Sequence, residues 1–226
     1  MTNNNSKVFN LIFALVLAFS LCFSVVISPI HVDAADPSVS DIQINDVYVL
    51  PDNSGFLTYY VVYATNNTGA DVSVETFFTA VGKDGVEIYK VSDYVDAVRN
   101  GQDFITYGQF SNNDIENVSK FDYEIQISET SNCTYSSVDV EANKADDFLI
   151  VEATNYSEHD LQGVNVRTLF LRNGKPIAFD YVNIADAGTT FHGGSTNCQV
   201  IGFNIGSYND FILTYTSAGS TSEIDY

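Results

Sequence analysis

The chain has 226 residues, 45% of them hydrophobic and 17% charged, which excludes a disordered polymer and allows one large domain or two small ones. Acids outnumber bases 29 to 9, giving a net charge of −20. No basic patch offsets the phosphates of nucleic acid or an anionic membrane surface, so neither is an expected partner. Tyr (14) and Phe (16) are abundant and recur with Val, Ile and Thr in short runs, which favours strands.

Met1 to Asn10 is polar with one cation, Lys7, and Leu11 to Ile27 is almost wholly apolar. Pro29 ends the run, and Val32-Asp33-Ala34 offers small residues for cleavage before Ala35. This is the layout of a secretory signal peptide over 1–34, and cleavage leaves a mature chain of 192 residues. An uncleaved membrane anchor is the rival reading, because the apolar run reaches the lower limit of a spanning helix. Membrane contact is expected only in that case. Leu21 is too bulky for Cys22 to be a lipidation site.

The mature chain reads as strands and turns. Ile42 to Val49 is a first strand, and Pro51-Asp52-Asn53-Ser54-Gly55 is a turn cluster. Phe56 to Thr65 is a long strand that is apolar on both faces. Asn66 to Gly69 turns the chain, Val72 to Val81 alternates, and Gly82 to Gly85 is a hairpin before Val86 to Tyr89. The polar stretch Ser92 to Gly101 is an irregular strand or a loop; Phe104 to Phe110 and Phe121 to Ile127 are strands. From Ser131 the order repeats: Val138 to Val140, Phe148 to Ala153, Val164 to Leu171, the Asn173-Gly174 hairpin, Ile177 to Ile184, and Phe211 to Tyr215. Ser217 to Tyr226 is Ser/Gly/Thr-rich and expected to fray.

The copies align at Ala64/Ala153 and Asn66/Asn155 (offset 89), then at Val74/Val166, Thr76/Thr168 and Phe78/Phe170 (offset 92). Gly101/Gly188 and Phe104/Phe191 extend the match at an offset of 87. About seven strands with turns fill a sandwich of this length. The expected fold is therefore all-β, two tandem immunoglobulin-like β-sandwich domains at 36–130 and 131–226; one larger sandwich made of two halves is the alternative.

Asn66-Asn67-Thr68, Val72 to Phe78, Lys83-Asp84-Gly85, Gly101 to Phe104 and Phe121 to Ile127 occur in an order that resembles small immunoglobulin-like modules, including the FxLYD type, of secreted and envelope proteins of Gram-positive bacteria. The second copy departs from it, with Asn155-Tyr156-Ser157 and Asn173-Gly174 at the two turns. The resemblance implies an extracellular or cell-envelope spacer or binding module and carries over no functional residue.

Cys133 and Cys198 are the cysteines left after cleavage, and in an exported chain they suggest a disulfide. Its loop of 65 residues would add about 4 kcal/mol by chain entropy. Two free thiols are the alternative. His192-Gly193-Gly194-Ser195 is similar to the Gly-rich oxyanion loops of esterases, but no G-x-S-x-G elbow accompanies it. His159 with Cys198 is a nucleophile pair only if folding brings them together. Asp146-Asp147 and Asp52-Asn53 lie in equivalent turns without a calcium-loop pattern, and their turn chemistry explains them. Two mature histidines without HxH or HxxxH spacing argue against zinc. The expectation is an exported, non-enzymatic module with no cofactor and no metal, acting as a spacer or binding an unidentified protein or glycan. An adhesin-like binder is the first rival and a secreted hydrolase the second.

Overall fold

The structure, a computed structural model, describes residues 36–52, 54–145, 147–203 and 205–220. The signal-type segment and Cys22 lie outside the described residues, as do Asn53, Asp146 and the last six residues. The described residues form one compact unit. It is all-β; the helical pieces among the described residues are two single 3₁₀ turns, Val39–Asp41 and Tyr135–Ser137.

The first half contributes β1 (Ile42–Pro51), β2 (Leu57–Asn66), β3 (Val72–Gly82), β4 (Glu87–Val98), β5 (Asp103–Ser111) and β6 (Val118–Glu129). These pair as two three-stranded antiparallel sheets, β1-β2-β5 and β4-β3-β6. The second half contributes β7 (Val138–Lys144), β8 (Leu149–Asn155), β9 (Leu161–Gln162), β10 (Val164–Arg172), β11 (Lys175–Ile184), β12 (Thr190–Phe191), β13 (Thr196–Ile201) and β14 (Asp210–Thr216). Its sheets are β13-β8-β7 and β11-β10-β14, with a short β12-β9 ladder. Each half has six long strands where the sequence suggested about seven.

Each sandwich has its own core. Tyr60, Val62, Val74, Phe78, Phe104 and Phe110 fill the first. Leu149, Val151, Val166, Phe170, Phe191 and Ile201 fill the second. A third core joins the halves: Leu50, Val61, Ile105, Leu169 and Phe179 are buried, with Tyr48, Tyr59, Tyr63, Tyr107 and Ile212 against them. The β1-β2-β5 sheet therefore packs on the β11-β10-β14 sheet, β1 meeting β11 and β5 meeting β14. The result is four layers. This explains why β2 reads as apolar on both faces. Tyr60, Val62 and Ala64 face one core, and Tyr59, Val61 and Tyr63 face the other. Burying each such large side chain is worth about 1.5–3 kcal/mol, so the joint behaves as an interior and not as a transient contact.

Each half turns on a buried asparagine. Asn66 and Asn155 are fully buried. The Asn66 amide donates to Ala70 O (2.9 Å) and Val98 O (3.1 Å), and its Oδ1 accepts from Thr68 N and Thr68 Oγ1. Asn155 does the same with His159 O (2.9 Å), His192 O (3.2 Å) and both donors of Ser157. Their backbone carbonyls accept from Gly101 N and Gly194 N, and both glycines have positive φ. Gly194 is therefore the counterpart of Gly101, at an offset of 93, and Gly188 is not. Likewise Phe104 pairs with Ala64 as Asn197 pairs with Ala153, so Asn197 and not Phe191 matches Phe104. In the last strands Tyr123 pairs with Phe78 and Phe211 with Phe170, which makes Phe211 the counterpart of Tyr123.

The irregular-strand reading of the Ser92 to Gly101 stretch holds as far as Val98, where β4 continues through a bulge. Two further expectations change. Thr196–Ile201 is a strand that was missed, an exposed edge whose polar residues hide its alternation. Ser217 and Ala218, expected to fray, are buried: Thr134 N donates to Ser217 O, and Ala218 bridges Cys133. The Asn173-Gly174 hairpin forms as expected, with both residues at positive φ.

Candidate functional site

The seam between the halves holds a dense set of polar contacts among the described residues. Arg167 lies mid-β10 in an apolar run and is 6% exposed. Its guanidinium forms a two-pronged ion pair with Asp93 of β4, Nη1 to Oδ2 at 2.5 Å and Nη2 to Oδ1 at 3.0 Å. Nη1 also donates to Ile105 O (2.8 Å), and Nε donates to Asn165 Oδ1 (2.7 Å). Asp93 accepts in addition from Thr106 Oγ1 (2.7 Å) and Tyr107 N (3.2 Å). The Tyr107 ring lies 5.0 Å from the guanidinium carbon. Burial, and then the hydrogen bond with Tyr181, push the Tyr107 phenol far above its usual range. A second tie crosses the seam where Gln102 Nε2 donates to Tyr215 O (2.6 Å). The charges are thus desolvated but fully paired, the condition under which a buried ion pair is tolerated.

A cleft of about 440 Å³ opens beside this pair. Tyr94, Val95 and Asp96 of β4 form one wall. Gln162, Gly163, Asn165, Arg167, Asn183, Thr189 and Thr216 to Ala218 form the rest. Asp96 sits in the β4 bulge, between partners Val95/Val74 and Val98/Val72. A bulge re-aims its side chains, which accounts for a carboxylate at the seam. Burial pushes the Asp96 carboxyl above its usual range. Gly163 is required by close approach, since a Cβ there would come within 2.3 Å of Asn183 Nδ2.

The residues singled out from the sequence lie elsewhere. His192 Nδ1 is 3.2 Å from Asp160 Oδ2, with both side chains about half exposed. The backbone hydrogen bond from Gly193, and then the side-chain hydrogen bond with His192, lower the Asp160 carboxyl. Ser195 meets His192 through the backbone, its N donating to His192 O (3.1 Å). Among the described residues no hydrogen bond joins the Ser195 hydroxyl to the imidazole, so His192 and Asp160 come together without the serine. Cys198 lies opposite Glu152 in mid-strand, and His159 lies in the turn beyond Asn155. The Cys133–Cys198 bridge is corrected: both are free thiols. Cys133 is tied to the C-terminal segment at Ala218, whereas Cys198 faces outward from the edge strand β13. The Asp52 carboxylate closes its own turn, accepting from Leu57 N (3.0 Å) and Ser54 Oγ. No group of three metal-ligating side chains occurs among the described residues.

No family model matches the chain, and no curated protein matches it. Among solved structures, the crystal structure of red sea bream transglutaminase is similar at 11% identity and a TM-score of 0.27, over 81% of this chain and 28% of that one. The chain spans little more than a quarter of that protein's length, and so remote a likeness carries no functional argument.

The seam was missed from sequence because its partners are 74 positions apart. One signal was present. Arg167 interrupts an apolar strand at the position where the first copy has Glu75, a charge the core-facing alternation does not require.

Proposed function

We propose that the chain is an exported, non-enzymatic binding module of the cell exterior or envelope, with its ligand held in the cleft beside the seam. The observation that carries this reading is the Arg167–Asp93 pair, which fixes the two walls of the cleft relative to each other. A preformed cleft loses little entropy on closing around a ligand. Export rests on the signal-type segment 1–34, and the resemblance to immunoglobulin-like envelope modules supports the same compartment. A passive spacer is the second reading, favoured by the fused four-layer core, which makes a stiff body.

Thr189 is exposed on the cleft rim, so Thr189→Trp fills the opening without touching a core. Wild-type and Thr189→Trp chains would be titrated with panels of soluble saccharides and of extracellular proteins. Ligand binding that disappears in the filled variant, at an unchanged melting temperature, supports the module. Binding that persists moves the site elsewhere, and no binding by either panel leaves the spacer.

A further inference from the structure

We infer that the cleft takes a neutral glycan, a deduction that rests on the binding-module reading above. The first argument is charge. Among the described residues Arg167 is the one cation lining the cleft, and each of its guanidinium nitrogens is already spent on Asp93, Ile105 O or Asn165. Asp96 adds a negative charge, and the whole chain carries −20. A phosphate, sulfate or uronate would meet repulsion with no free cation to offset it.

The second argument is hydrogen-bonding capacity. Among the described residues, the side chains of Asp96, Gln162, Asn183, Thr189 and Thr216 have no hydrogen-bond partner within the chain, although all line one cleft. Amides and hydroxyls both donate and accept, and a carboxylate accepts from two hydroxyls at once. That inventory matches a ligand dense in vicinal hydroxyls. The Asn165 amide is oriented, because its Oδ1 takes the Arg167 Nε hydrogen and leaves its Nδ2 hydrogens to the cleft. The third argument is the ring. Tyr94 is 57% exposed at the cleft edge, where a sugar's C–H face stacks on an aromatic plane. A volume of about 440 Å³ lies inside the usual range for ligand sites, about 300–1,000 Å³.

The test is calorimetry and saturation-transfer NMR on the chain from residue 36, with gluco-, manno- and N-acetylglucosamine oligosaccharides, polygalacturonate as the anionic arm, and a panel of extracellular proteins. A neutral oligosaccharide should bind. Tyr94→Ala and Asp96→Ala should each weaken it at least tenfold, and Gly163→Ala, which displaces the Asn183 amide, should weaken it several-fold. Melting temperatures of the variants separate lost contacts from lost folding, since Tyr94 and Asp96 lie outside the cores. Equal or tighter binding of polygalacturonate overturns the charge argument. Neutral glycan binding that ignores both β4 variants overturns the site. A protein ligand blocked by Thr189→Trp, with no saccharide bound, overturns the glycan and leaves the module; silence from every ligand overturns both.

Discussion

Replacing Arg167 by Met tests whether the ion pair is what holds the halves in register. Methionine keeps much of the stem that covers Tyr107 but removes the charge and all four hydrogen bonds of the guanidinium. Asp93, whose side chain is 11% exposed, then stays buried with only Thr106 and Tyr107 as donors. Breaking a buried pair in this way costs about 3–5 kcal/mol. In a unit of this size 1 kcal/mol moves the melting temperature by about 2–4 °C, so the loss should be about 6–20 °C. Calorimetry and urea unfolding should both show one transition in the wild type. The double variant Arg167→Met/Asp93→Leu should recover most of the loss, because the cost lies in the orphaned carboxylate. A single-variant loss below about 0.5 kcal/mol, typical of an exposed pair, would refute the reasoning. So would two separate transitions in the wild type.

Asp96→Asn should raise the melting temperature at pH 7. The folded carboxyl titrates above its unfolded value near 3.8, so its contribution is favourable below that pH and is lost as pH rises through the folded value. The gap between variant and wild type should close in melts below about pH 3.8; a gap that persists there contradicts the assignment. Asn155→Ala removes the buried amide that closes the second copy's turn and should cost about 2–4 kcal/mol by urea unfolding, with Asn66→Ala similar. Burial, and then the hydrogen bond to Asp103, raise Tyr63 to about 12, so Asp103→Ala should make a phenol ionise earlier in an absorbance titration. Both thiols should react with a maleimide probe, Cys198 faster than the half-buried Cys133; a mass two hydrogens short would indicate a bridge instead.

The sandwich plan was legible because its turns are local. Asn173-Gly174 and the Asn66/Asn155 pair act within a few residues, and alternation in β3 and β10 marks their core faces. The apolar outer face of β2 was also visible, although only the structure shows that the second half covers it. β13 escaped notice because edge residues such as Thr196, Cys198 and Gln199 face solvent and need no pattern. The false match of Phe104 to Phe191 arose because each is a Phe three residues after a glycine, although one sits in a long strand and the other in a two-residue ladder. The cleft was illegible for a different reason. It exists only where β4 meets β10 and β11, and no local rule specifies that meeting.

The two halves join through sheets that do not correspond in strand order. The first offers β1-β2-β5, while the second offers β11-β10-β14, whose counterpart in the first is β4-β3-β6. Such head-to-tail stacking has no intrinsic end, since each copy retains a face equivalent to one already used. Substitution changes both outer faces. Where the joined faces carry Val61, Tyr63, Arg167 and Leu169, the free ones carry Ile150, Glu152, Glu75 and Phe77. Asp122 and Glu124 stand on the one free face, where Lys120 pairs with Asp122 and Lys90 lies over Phe77, and Asp139 and Glu141 stand on the other. Acidic side chains thus stand on both outer faces, at positions where the joined faces carry the aromatic and aliphatic residues of the shared core.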